Sequence, residues 1–525
     1  MAEAVAPVGA TLAQSAAPES APSSPVIAER RLAGFAVALA GTFATGITAQ
    51  LLGVGIADVG GRLSLSTVEA SWLRVVYPAG LVFMLPLASP LSRALGPRHY
   101  LALLAALFAA ACLASAVEGN FSTAVSARLL HGLSAGGFSI VAFGLAFRAF
   151  AGRSPWPGLA WVAFVGTAPA MLALPAAAWL DGGAVWPWVF LATAIAAIAI
   201  GAVALSVFPA EGFDRRHITG LDWFGYAALA IGLAAMLLGF GQADRFFWTD
   251  AAWVGGLLLI GSVALAAFLI IETVHPTPLV EIGLMASGGF GVALAVNLLW
   301  RLPLVEPTVL VPGALATFTG LRPNQVATVF APIVMLHVLL YPLTAHVAKW
   351  LDPRAMCATA LMLLAAGTAL DAAVTSTWGL PEFRASQLIA FTTVPIVATS
   401  LLLVATGDVS PTQGASAGVL WNAAANLGGT VAGTLTATFL RLRTDLHQSA
   451  ILENVNAAAA TASQAFGGLA VSGGTAHGHL AGLIVGRAHL QASALAYQDA
   501  FRLLALVGLS VAPLVMLARR PGFIR

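Results

Sequence analysis

Fourteen apolar runs, each close to the length a helix needs to cross a bilayer, constrain this chain more than any other feature. A hydrocarbon core about 30 Å thick takes about 20 apolar residues of helix. Inside it every backbone N–H and C=O must be bonded within the protein, so runs of this length are helices. They lie at about Ala33–Ala57, Leu73–Leu91, Leu101–Val117, Ser122–Phe147, Gly158–Leu180, Trp188–Phe208 and Trp223–Gly241. They continue at Ala252–Ile271, Phe290–Ala314, Val326–Ala348, Ala355–Thr375, Gln387–Thr406, Gly414–Leu440 and Ala500–Leu517. The predicted fold class is an all-α integral membrane protein with 14 transmembrane helices. Only 9% of the 525 residues are charged, against about 25% in a soluble domain. The net charge of +2 is too small and too dispersed for nucleic-acid binding. Cys112 and Cys357 both fall in apolar runs, which argues against a disulfide framework or a metal site.

Residues 1–29 form an Ala/Pro/Ser-rich tail without the basic start and apolar core of a signal peptide, and read as disordered. With the N-terminus inside, thirteen Arg and Lys residues of the connections fall on the cytoplasmic side and eight on the other. The positive-inside rule then places both termini in the cytoplasm. The stretch 441–498, rich in Ala, Gly and Ser, becomes an external loop of a length that implies either function or mobility.

Few ionisable residues interrupt the spans. Arg128 sits within the fourth, and a cation at mid-bilayer costs about 2.5–3.5 kcal/mol on insertion scales unless it faces a wet or protein interior. His131 shares its helix face, and Gly132 and Gly136 make a small-xxx-small pair suited to close helix approach. The ninth span carries Arg301 near mid-depth and Glu306 five residues on, about 140° around an ideal helix. Pro303 and Pro307 leave the carbonyls of Leu299 and Pro303 without donors, so a kink is expected there, as at many transport sites. Glu306 then reads as a proton-carrying acid that pairs with Arg301 or Arg128, as half of a permanent ion pair, or as a lipid-edge carboxylate. Proton coupling is assigned to Arg128, Arg301, Glu306 and His131; His337 is a further titratable candidate and Asp371 reads as interfacial or part of an exit vestibule. Gln50, Trp300, Asn422, Asn426, Phe143 and Trp421 are the candidates for lining a substrate cavity, by hydrogen bonding or by stacking. No Walker loop, HExxH, paired CxxC or nucleophile elbow is present, so neither an enzyme nor a cofactor is expected.

The stretch Arg128-Leu-Leu-His-Gly-Leu-Ser-Ala-Gly-Gly, "SWLRVVYPAGLVFMLPLASPLSRALGPRHYL", "LDWFGYAALAIGLAAMLLGFGQADRFFW" and "GASAGVLWNAAANLGGTVAGTLTATFL" lie in the order of a known family. Together they resemble the fourteen-helix drug:proton antiporter branch of the major facilitator superfamily, along nearly the whole chain. The resemblance implies two six-helix bundles with two inserted helices. On that scheme 1–29 is the tail, 30–210 the N-terminal bundle, 211–285 the linker with the extra pair, and 286–525 the C-terminal bundle including loop 441–498. It also implies proton-driven export of amphipathic organic compounds from the inner membrane. The long loop is similar to that of tripartite pumps, which implies a periplasmic adaptor and an outer-membrane channel as partners. Gly96 and Arg98 match the cytoplasmic loop motif and Pro175 the fifth-helix motif. Ser89, Arg93, Thr48 and Ala425 depart from the family pattern, and these departures keep a non-transporting sensor or scaffold, and a proton-independent facilitator, open as alternatives.

Overall fold

The computed structural model describes residues 25–117, 119–150, 156–177, 180, 185–327, 330, 333–465 and 474–521. Most of the Ala/Pro/Ser-rich tail, Arg153, the connection at 181–184 and Arg525 lie outside these residues. All the regular structure described is helical. The first group is α1 (Pro25–Val54), α2 (Ile56–Arg62), α3 (Thr67–Val117), α4 (Phe121–Ala149), α5 (Trp156–Ala177) and α6 (Trp186–Val207). The short α7 (Arg216–Thr219) leads to an inserted pair, α8 (Trp223–Ala243) and α9 (Ala252–Val274). The second group starts with α10 (Phe290–Leu299), α11 (Arg301–Val305), a π-helix over Glu306–Leu310 and α12 (Val311–Thr319). It continues with α13 (Pro323–Val326), α14 (Val334–Val347), α15 (Pro353–Leu370), α16 (Arg384–Thr406), α17 (Gly414–Ala465) and α18 (Gly474–Val511).

Eleven of the described helices are long and apolar enough to cross a membrane. Helix α3 makes two passes, and α14 and the first part of α17 complete the fourteen. The two passes of α3 are joined at Gly96, where φ is +72°, a backbone conformation that a Cβ disfavours. Tyr77 and Phe108 both pack on His131, and Leu81 and Leu104 both meet α4 at Gly136 and Gly137, so the passes run antiparallel. Helices α6 and α9 turn rows of large apolar side chains outward, among them Ile195, Ile198, Leu259, Ile260 and Val263, as lipid-facing helices must. Within the inserted pair, α9 packs mainly on α8, and α8 lies against both α3 and α17.

The stretch 441–498 is not an irregular loop where it is described. Helix α17 runs on to Ala465 and α18 starts at Gly474, so two helices extend as a hairpin. The reason is local: from 434 to 465 there is neither Gly nor Pro, and alanine, frequent in this stretch, is the best helix former. Asp499 clamps the hairpin base, accepting from Arg443 and from His447 Nε2 at 2.9 Å.

Candidate functional site

A cavity of about 680 Å³ lies between the two groups of helices. Its walls come from α1, α3, α4 and α5 on one side and from α11, the π-helix, α12 and α17 on the other. The contributing part of α1 is Thr42–Val54, the half farther from Pro25, so the cavity occupies that half of the bundle. The other half is filled where α4 meets α17: Phe143 sits over Gly418 and Phe147 over Gly414. Among the described lining residues the charged ones are Arg74, Arg128 and Arg301, with no carboxylate.

Arg128 is held on three sides. Its Nε donates to the Leu73 carbonyl at 2.9 Å, its Nη1 to His131 Nδ1 at 3.0 Å, and its guanidinium lies 4.8 Å from the centre of the Tyr77 ring. Arginine only donates, so His131 Nδ1 is the acceptor and His131 Nε2–H donates to the Thr45 carbonyl at 3.0 Å. His131 therefore stands behind Arg128 as a neutral support and does not line the cavity. The glycines make this geometry possible. A Cβ on Gly132 would collide with the Tyr77 carbonyl oxygen, and one on Gly136 with that of Leu81.

Arg301 depends on Asn297, which is fully buried. Asn297 Oδ1 accepts from Arg301 Nη2 and from Trp300 Nε1, both at 3.2 Å, while its Nδ2 donates to the Trp421 carbonyl at 3.1 Å. One amide thus orients the cation, seats the indole and ties α10 to α17. Trp300, Phe143 and Trp421 surround a side pocket next to the main cavity. Gln50, Asn422 and Asn426 line the main cavity, and the two asparagine Nδ2 groups bond back to Gly418 and Asn422 carbonyls of their own helix.

Glu306 does not meet Arg301. It is 1% exposed and outside the cavity lining, and its Oε1 accepts from Gln387 Nε2 at 2.6 Å. Where the kink was expected the helix makes a π-turn. Val311 N–H reaches the Glu306 carbonyl, Glu306 N–H reaches that of Pro303, and Thr308 Oγ1 donates to that of Leu304. The ladder is patched rather than broken, so Arg301 and Glu306 keep to different faces. Asp371, read as interfacial or vestibular, is 1% exposed and faces Glu306 from the end of α15. Gln387 and Asn297 carry no sequence signal beyond being polar in apolar runs, and neither stood out.

No family model matches the chain. Over 485 residues it is 22% identical to the fatty acid resistance protein FarB of Neisseria gonorrhoeae, covering 89% of this chain and 92% of that one. Over 430 residues it is 21% identical to the colistin resistance protein EmrB of Acinetobacter baumannii, covering 80% and 82%. The crystal structure of the human organic anion transporter MFSD10 superposes with a TM-score of 0.53 at 14% identity, covering 91% of this chain and 99% of that one. The chain has the major facilitator fold. Within that fold Gly96 forms the turn between the second and third passes, and Arg98 Nη1 donates to the Phe208 carbonyl at 3.2 Å, fastening the turn to the end of α6. Pro175 is buried in α5, while Pro169 of the same helix lines the cavity.

Proposed function

We propose that this chain is a secondary transporter that exports amphipathic organic anions from the inner membrane, exchanging them for protons by alternating access. One observation carries the reading: Arg74, Arg128 and Arg301 line the cavity between the helix groups, among apolar and small polar side chains and, among the described lining residues, without a carboxylate. A cation in such a low-dielectric space attracts an anion far more strongly than one at a wet surface. The apolar wall from Leu304, Val305, Val309, Met171 and Leu174 suits a hydrophobic tail. The names of two relatives, a fatty acid resistance protein and an organic anion transporter, support the same class.

In this reading both termini are cytoplasmic, the cavity faces outward, and the helical hairpin of α17 and α18 projects on the outer side toward a periplasmic adaptor and outer-membrane channel. Glu306 carries the proton, and Arg128 and Arg301 hold the anion.

The test uses purified protein reconstituted into proteoliposomes, with 8-anilinonaphthalene-1-sulfonate as a permanently charged amphipathic anion and tetraphenylphosphonium as the matching cation. An imposed proton gradient is expected to drive the sulfonate against its concentration and to leave the cation at rest. Equal movement of both ions, or of neither, overturns the assignment.

A further inference from the structure

Glu306 opens the π-helix, and Asp371 caps the end of α15; both are 1% exposed. The two carboxyl groups lie within hydrogen-bonding reach of each other. If both were ionised, Glu306 Oε2 and both oxygens of Asp371 would be buried without a donor. The surrounding groups do not remedy this. Gln387 gives its Nε2 to Glu306 Oε1, and its own Oε1, fully buried, has no donor either. Ser386 Oγ, within reach of Asp371, has one proton and donates it to the Phe383 carbonyl, and Gln498, from α18, donates to the Val374 carbonyl. Tyr497 turns its hydroxyl toward Gly313, and Asp499 is paired with Arg443, His447 and Arg502. Among the described residues no Arg, Lys or His forms an ion pair with either carboxyl.

Another buried carboxylate, Asp222, is satisfied on one oxygen only, its Oδ2 being buried without a donor. Asp222 Oδ1 accepts two backbone N–H bonds, from Phe224 and Gly225, at the start of α8. Asp371 has no such partner. Two touching carboxylates cannot both stay ionised in an apolar interior, whereas one proton between them removes the repulsion and supplies a donor.

We propose that Glu306 and Asp371 form one proton-binding unit, a carboxylic acid hydrogen-bonded to a carboxylate, that carries the transported proton, with Gln387 as the residue positioning Glu306. This rests on the exporter reading above and adds Asp371 and Gln387 to it. Loading makes one O–H bond with a proton from water on one side; release to water on the other side breaks it, and nothing else is consumed. The unit is screened from the substrate but mechanically joined to it. Pro307 and Thr308, next to Glu306, line the cavity, as does Phe391, one turn after Gln387. Arg301 and Glu306 ride on one stretch of helix, so an anion pulling on Arg301 bears on the turn that holds the acid.

Infrared difference spectroscopy of the full chain in lipid nanodiscs reads protonated carboxyls directly, without any substrate. Wild type, Glu306→Gln and Asp371→Asn are titrated in H2O and D2O, with thermal unfolding to confirm that each is folded. An amide can donate to the carboxyl that remains, so either substitution is expected to abolish the same protonated-carboxyl band. A band unchanged in both variants overturns the proposal. So does a band lost in Glu306→Gln but kept with its pH midpoint in Asp371→Asn, because the proton would then belong to Glu306 alone. The sulfonate assay separates the two readings. Loss of proton-driven export in both single variants supports the unit, and export unaffected by either refutes it while the exporter stands. Wild type that shows the shared band but moves no sulfonate removes the exporter reading and leaves the proton-binding unit.

Discussion

Replacing Gly418 by leucine tests which contact shuts the bundle at the end away from the cavity. A Cβ at this position would stand 3.2 Å from Phe143 Cγ and 3.3 Å from Phe143 Cβ, already tighter than ordinary packing. The remaining leucine carbons have to occupy space that the Phe143 ring now fills, and that ring is 1% exposed with only a side pocket of about 50 Å³ beside it. Overpacking of this kind costs about 1–3 kcal/mol. The cost falls only on the conformation in which α4 and α17 meet here, so it lowers the population of that conformation by about 5–150-fold. A reporter is available in Thr308, which lines the cavity. In a Thr308→Cys background, the rate of reaction with a membrane-impermeant maleimide measures how often the cavity is open, and Cys112 and Cys357 are both buried and silent. Labelling is expected to fall by a factor in that range with Gly418→Leu. It is expected to stay constant with Gly433→Ala, where an added Cβ meets nothing within 4 Å. Unchanged labelling in a folded Gly418→Leu protein would refute the claim that this contact closes the end.

Two further outcomes concern the fourth pass. Gly132→Ala drives a methyl into the Tyr77 carbonyl and is expected to lower stability by about 1–3 kcal/mol; Gly144→Ala, in open space on the same helix, is expected to be neutral or to gain about 0.5–1 kcal/mol, and thermal unfolding in detergent that ranks them the other way contradicts the close α3–α4 packing. Arg128→Lys replaces a planar fork by a point charge that cannot reach Leu73, His131 and the Tyr77 face at once. A loss of about 1.5–3 kcal/mol is expected, the worth of a hydrogen bond to a charged group, and a lysine variant as stable as wild type in the same melt would show that the fork is not what holds α4 on α3.

The passes were legible because a helix in hydrocarbon needs a long uncharged run, and that demand writes itself into any window of the chain. Gly96 was picked out by its match to the family's loop motif, and the structure supplies the local reason: glycine takes a φ of +72° there without strain. The hairpin beyond Leu440 was not, since its small residues read equally well as loop, and only the unbroken alanine-rich helix shows which choice the backbone makes. Arg301 and Glu306 were expected to converge across a proline kink. Glu306 N–H takes the Pro303 carbonyl, a π-turn follows, and the two residues stand on separate faces. Asp371 was legible only as an interfacial or vestibular acid, and its approach to Glu306 was not. Its partner comes from another helix, and nothing in the spacing of either residue announces that α15 ends beside the π-turn.

The inserted pair gives the seam between the two groups of helices unequal edges. On one edge α8 bridges α3 and α17, with Gly241 letting Val75 and Thr430 close around it. On the other, α5 meets α14 and α16 directly, joined by the Thr167–Tyr341 hydrogen bond at 2.8 Å. A molecule slipping sideways between bilayer and cavity meets a third helix laid along the first edge like a doorpost. On the exporter reading proposed above, lateral traffic is left to the second edge, where among the described residues the Thr167–Tyr341 hydroxyl pair is the latch.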